Sequence, residues 1–130
     1  MFTQRHPWTH ALVLIWGVIG AAMGAHAQEA PSVEAQRVSN TAFYVQGLSA
    51  LGSAANQNYI SNAGFVITQT GVVVIDALGS PALADKLVQQ IRKLTPLPIS
   101  HVILTHYHAD HIYGLQALKA QGAKVVAHRA

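Results

Sequence analysis

The sequence predicts an α/β fold, and three observations carry that prediction. Two β-rich runs, 62–68 and 72–76, are joined by Gln69-Thr70-Gly71, a short turn with glycine placed where a positive φ is expected. An amphipathic helical pattern follows, and a further apolar run, 99–105, comes after it. Strand, helix and strand in that order imply parallel pairing through a right-handed crossover. The chain has 130 residues, 51% of them hydrophobic, enough for one small domain with a core.

Residues 1–27 read as a leader rather than as part of that domain. Arg5 and His6 make a modest basic start, 11–23 is almost wholly apolar, and Ala25-His26-Ala27 offers the small-x-small pattern of a signal peptidase cut between Ala27 and Gln28. The apolar run is shorter than the roughly 20 residues a membrane span needs, so no stable membrane anchor is expected. The mature protein is then expected to be periplasmic or secreted. Residues 28–40 are polar and small, with Pro31 and Ser32, and read as a flexible lead-in to a domain at 41–130.

Within the domain, 41–46 holds Phe43, Tyr44 and Val45 and is the first expected strand, followed by a loop rich in Gly, Ala, Ser and Asn. The hairpin comes next. Its second strand, Val72-Val73-Val74-Ile75, is apolar without alternation, as in a strand covered on both faces. Asp76 ends it, either as a turn former bonding nearby backbone N–H groups or as a support for a metal ligand.

Ser80-Pro81 opens the helix as N-cap and first-turn proline, and Leu83, Leu87, Val88, Ile91 and Leu94 mark one apolar face. Asp85 near the start and Arg92-Lys93 near the end suit the helix dipole, and Pro96 and Pro98 stop the helix. A second helix is expected over 112–121, with Leu115 and Leu118 inward and Gly122 as its C-cap. Residues 123–128 read as one more buried strand.

The chemistry is concentrated at Thr105-His106-Tyr107-His108-Ala109-Asp110-His111-Ile112-Tyr113-Gly114, directly after the apolar run Val102-Ile103-Leu104. His106 and His108, two apart at a strand exit, point to the same side and can share one ion. Asp110 and His111 follow once the chain has begun to turn, which suits a second metal. Imidazole and carboxylate suit zinc, and also iron or manganese, so the residue types alone leave the metal open.

His106-x-His108-x-Asp110-His111, after an apolar strand and followed by Gly114, resembles the signature of the metallo-β-lactamase superfamily of hydrolases. The resemblance implies the amino-terminal half of an αββα four-layer sandwich, with His106 and His108 on a first zinc ion, Asp110 and His111 on a second, and Asp110 as the catalytic residue orienting the attacking hydroxide. It also implies that Asp76 supports the metal-binding loop without touching metal. The missing ligands would come from the second half of the fold. A loop in the early hairpin region overhangs the substrate in many such enzymes; here Leu48, Leu51 and Tyr59 are read as core packing or surface turn.

The remaining histidines are assigned structural roles. His101 lies five strand residues, roughly 16 Å, from His106. His128 belongs to a strand that reaches the same sheet edge if it runs parallel, but no second ligand accompanies it. There is no cysteine, so no disulfide, thiolate ligand or cysteine nucleophile comes from this chain. The formal charge of +3 includes Arg5 of the leader, and the other basic residues are scattered, which gives nucleic-acid binding no support.

The function expected is an exported zinc-dependent hydrolase, or its amino-terminal fragment, acting on a small-molecule ester, thioester, lactone or β-lactam carbonyl. The alternative is a truncated, non-catalytic metal-binding or interaction module. A lone half would leave one sheet face uncovered, open to self-association or a complementing chain.

Overall fold

The computed structural model describes residues 31–129, so the expected leader and its cut site lie outside the described residues. The chain runs β1 Gln36–Arg37, β2 Ala42–Val45, β3 Ala63–Ile67, β4 Val72–Ile75, α1 Pro81–Leu94, β5 Ile99–Ile103, α2 Ala109–Ile112, α3 Leu115–Ala120 and β6 Lys124–Val126. All six strands form one sheet in sequence order. The first four are antiparallel neighbours; β4, β5 and β6 are parallel, joined by the expected helical crossovers.

Parallel pairing brings the carboxyl ends of β4, β5 and β6 to one edge of the sheet. One face of that sheet carries the core. Val45, Phe65, Val72, Val74, Ile99 and Val102 point into it and meet Leu83, Leu87 and Ile91 of α1 and Leu118 of α3. Phe43 and Phe65, directly opposed on β2 and β3, stack with ring centroids 5.1 Å apart.

The opposite face is only half covered, because Val73 and Ile75 of β4 are partly exposed and Ile103 more so. The expectation that β4 is covered on both faces is therefore corrected: its unbroken apolar run serves one helical layer, and its other side has no layer among the described residues. No described helix is long and apolar enough to cross a membrane.

Helix α1 starts as expected. Ser80 is extended and its hydroxyl oxygen accepts a hydrogen bond from the Leu83 N–H at 3.3 Å, with Pro81 following. Its first turn holds no acidic residue, so Asp85 falls too far in to act on the dipole, whereas Arg92 and Lys93 do occupy the last turn. Leu94 is exposed, so the apolar face ends at Ile91.

Other expectations change with tertiary contacts. Part of the lead-in is anchored: Val33 is buried in the core, Gln36–Arg37 pairs with β2, and Lys86 donates to the Pro31 carbonyl at 2.6 Å. Gly71 does not take a positive φ. Its missing side chain instead admits the Pro98 carbonyl, which a Cβ would meet at 3.0 Å. The strand after α3 is an exposed edge rather than a buried strand, bonded to β5 on one side.

The single helix expected over 112–121 is divided into α2 and α3 at Gly114. A Cβ on Gly114 would collide with the Ala77 carbonyl and lie 2.7 Å from the Ala84 Cβ of α1. Glycine thus lets the chain after the histidine cluster seat against both α1 and the β4–α1 loop. Gly114→Ala should lower stability by about 1–3 kcal/mol, because the nearest obstacle is backbone and cannot rotate away; chemical denaturation measures it, and an unchanged midpoint would refute the close-packing role.

Tyr59 lies in the core, and burial, reinforced by the Glu34 carboxylate, pushes its phenol above the ordinary 10.0. As pH rises the unfolded chain ionises first, so this contribution is intact below about pH 10 and is lost above it. Tyr59→Phe should flatten the alkaline fall in stability above about pH 10, read from denaturant midpoints against pH; an unchanged slope would contradict the assignment.

Candidate metal centre

Strand β4 delivers Asp76 to the shared carboxyl edge and β5 delivers Thr105 beside it. The Asp76 N–H still donates to the Ile103 carbonyl at 2.9 Å, but its own φ is +63°, which swings the carboxylate toward the segment after β5. Leu78, also at φ +63°, turns the next step of the loop. Such backbone costs of order 1–3 kcal/mol per residue for non-glycine side chains. It is offset by complete burial of Leu78 and by the bonds Ala77 N–H to His111 carbonyl at 2.8 Å and Gly114 N–H to Leu78 carbonyl at 3.1 Å.

The Asp76 carboxylate is buried and accepts three hydrogen bonds. Oδ1 takes the Thr105 N–H at 2.8 Å; Oδ2 takes the Thr105 hydroxyl at 2.8 Å and lies 2.8 Å from His111 Nδ1. A carboxylate only accepts, so His111 must carry its proton on Nδ1, leaving the Nε2 lone pair free. The Thr105 proton is already given to Asp76, so its oxygen accepts from His106 Nδ1 at 2.9 Å, and His106 too is left with a bare Nε2. One buried acid therefore sets the tautomer of two imidazoles, one directly and one through a threonine.

These lone pairs meet partners at ligand spacing. His106 Nε2 lies 3.2 Å from His108 Nδ1, and His111 Nε2 lies 3.4 Å from Asp110 Oδ2. Two donors about 2.0–2.1 Å from a tetrahedral zinc ion are about 3.3 Å apart. The residues present thus fit one metal between each pair. The His106 and His111 rings are 4.1 Å apart by centroid, so the two pairs are neighbours, as a two-metal site requires. Among the described residues no group of three or more such side chains is gathered for one ion.

His106 lies beside His108 and Asp110 beside His111. The local reason differs from the one expected. β5 ends at Ile103, so 106–108 is not a strand continuing its alternation; His108 is the extended residue just before α2. Asp76 bonds Thr105 and His111, on either side of the 106–110 segment.

Sequence reasoning missed Thr105 as a relay and Ser61 as a brace. The buried Ser61 donates its hydroxyl proton to the Asp110 backbone carbonyl from 49 positions away, a contact with no local sequence signal. Thr105 adjoins His106, and its hydroxyl next to a histidine cluster was the available clue.

His101 is half-buried, hydrogen-bonded to Ser100 at 3.1 Å and paired with Lys124, away from the cluster as expected. His128 is not a packed structural residue: it is exposed beyond the end of β6. Tyr59 is core, whereas Leu48 and Leu51 are exposed, the latter at 91%. A hollow of about 740 Å³ between the 52–58 loop and the start of α1 is lined by none of the four paired ligands. A smaller one, about 470 Å³, has His106 on its wall.

Residues 57–130 match the family described as the metallo-beta-lactamase superfamily. The chain is 30% identical over 114 residues to the metallo-beta-lactamase type 2 of Elizabethkingia meningoseptica, covering 88% of this chain and 44% of that protein. It is 32% identical over 74 residues to the metallo-beta-lactamase type 2 of Bacillus cereus, covering 57% and 29% respectively. A solved metallo-beta-lactamase from Pontibacter korlensis shares the fold with a TM-score of 0.62 at 22% identity, over 75% of this chain and 44% of that one. The chain thus spans less than half the length of each.

Asp76→Asn keeps an acceptor for the Thr105 N–H and tolerates the left-handed backbone, but cannot accept from both Thr105 and His111. Zinc affinity should fall about 10–100-fold, with about 1–3 kcal/mol of stability lost from the unmet buried donors, measured by competition with a chromophoric chelator and by denaturation; equal affinity would show that Asp76 does not position the ligands.

Proposed function

Since the chain belongs to the metallo-β-lactamase superfamily, we propose that it supplies the amino-terminal metal-binding half of a zinc-dependent hydrolase acting on an ester, thioester, lactone or β-lactam carbonyl. The observation that carries this reading is the pair of donor sets at ligand spacing, 3.2 Å and 3.4 Å, braced by one buried carboxylate. His106 and His108 would hold one ion, and Asp110 and His111 the other. Iron or manganese could occupy the same donors.

Zinc, when bound, supplies a Lewis acid for the carbonyl oxygen and a nucleophile derived from water at neutral pH. This chain's residues supply the positioning. Asp76 holds the His111 proton at Nδ1 and, through Thr105, the His106 proton at Nδ1, so that both Nε2 atoms stay available as ligands. The Asp110 carboxylate, at the start of α2, accepts a hydrogen bond from the attacking water and fixes its direction. Ser61 holds the Asp110 backbone carbonyl and so fixes the point from which that side chain projects.

Export follows from reading 1–27 as a leader, and it favours a substrate met outside the cytoplasm. A second reading, a non-catalytic metal-binding or interaction module, draws support from one observation: no three donors converge among the described residues. In that case the half-covered sheet face would receive a second copy or a complementing chain.

A metal titration with a parallel hydrolysis assay separates the two. For the protein that carries the rest of the fold, the hydrolase reading expects about two zinc ions per chain and hydrolysis that a chelator abolishes and zinc restores, whereas these 130 residues alone are expected to be inactive. Fewer than one ion per chain together with no hydrolysis of β-lactam, lactone or thioester substrates would overturn it.

A further inference from the structure

The hollow beside the histidine cluster has a composition of its own. Half-buried Leu104 and Ile112 form its floor, and exposed His106, Tyr107 and His128 stand at its rim with Ala127. Its volume of about 470 Å³ lies within the usual range for small-molecule pockets, and no carboxylate lines it.

Two of the hollow's hydrogen-bonding side chains, Thr105 and His106, are committed. The Thr105 hydroxyl gives its proton to Asp76, and His106 gives its Nδ1 proton to Thr105 and turns Nε2 toward His108. Among the described residues the Tyr107 hydroxyl and the His128 imidazole make no hydrogen bond, and of the two it is His128 that follows the neighbouring strand. It reaches the rim because β6 runs parallel to β5: Ile103 pairs with Val126, and the Leu104 N–H bonds the Val126 carbonyl at 2.9 Å, so the chain after β6 emerges beside the chain after β5.

We infer that this hollow is a binding site for an aliphatic acyl group, with His128 donating a hydrogen bond to an oxygen at the polar end of the ligand. The apolar floor takes hydrocarbon, the acid-free rim admits a carboxylate or ester oxygen, and His106 on the same rim places that oxygen next to the proposed metal pair. The substrate class this assigns, an aliphatic ester or related acyl compound, rests on the hydrolase reading. Binding to the hollow does not, since it requires no metal.

Titration calorimetry of the metal-free protein with octanoate tests it. Saturable binding of one octanoate per chain is expected. Ala127→Trp, which changes an exposed position and fills the rim, should abolish it, and His128→Phe should weaken it at least tenfold, whereas His128→Gln keeps a donor and should retain most of it. No binding by the unsubstituted protein, or equal binding by Ala127→Trp, would overturn the inference. Zinc stoichiometry of the unsubstituted protein is read separately: octanoate binding without zinc binding leaves the acyl site standing and removes the hydrolase reading, and the reverse result removes the acyl site alone.

Discussion

The arrangement at the sheet edge depends on the hydrogen bonds converging on one carboxylate. Asp76 takes the Thr105 backbone N–H, the Thr105 hydroxyl and the His111 imidazole, each at 2.8 Å, in a place where water does not compete. Buried charge is costly unless it is fully engaged by donors, and here each donor belongs to the segment that carries the metal-capable side chains. Satisfying the acid and ordering the cluster are therefore the same event. The left-handed backbone at Asp76 and Leu78 belongs to this arrangement: it follows β4 directly, where the Asp76 carboxylate meets the exit of β5 at Thr105.

The fold makes this possible through strand direction. Antiparallel β1–β4 alone would put successive carboxyl ends at opposite edges, but the α1 crossover returns the chain parallel to β4, and α2–α3 does so again for β6. Three carboxyl ends then share one edge, the usual place for ligand sites in open α/β sheets. Gly114 ties the second crossover to the first by letting α3 close on α1, so the helical layer and the histidine cluster are fixed by the same contacts.

The two sheet faces differ in a way that bears on function. One is sealed by α1 and α3 around fully buried Val72, Val74 and Val102. The other presents Val73, Ile75 and Ile103 with partial exposure, the pattern of a surface that forms one side of a sandwich. The candidate donors pair two by two at the carboxyl edge that both faces share.

The sequence by itself determined the run of elements from β2 to β5 and the identity of the candidate donors, because both are written in local terms: period-two and period-3.6 patterns, a Ser-Pro helix start, prolines after the helix, and four metal-capable side chains within six positions. Only the tertiary structure decided what those donors can do. The tautomers of His106 and His111 depend on Asp76, from an earlier strand end, the Asp110 backbone is held by Ser61 from 49 positions away, and His128 lines the same hollow as His106 only because β5 and β6 run parallel. The sequence also overstated burial at β4, Leu94 and β6, since apolar composition records what a strand or helix can bury, whereas exposure is set by which layers pack against it. The reason is the same in each case: side-chain identity and periodicity act over a few residues, but a hydrogen bond or packing contact between distant residues exists only once the backbone has brought them within a few ångströms.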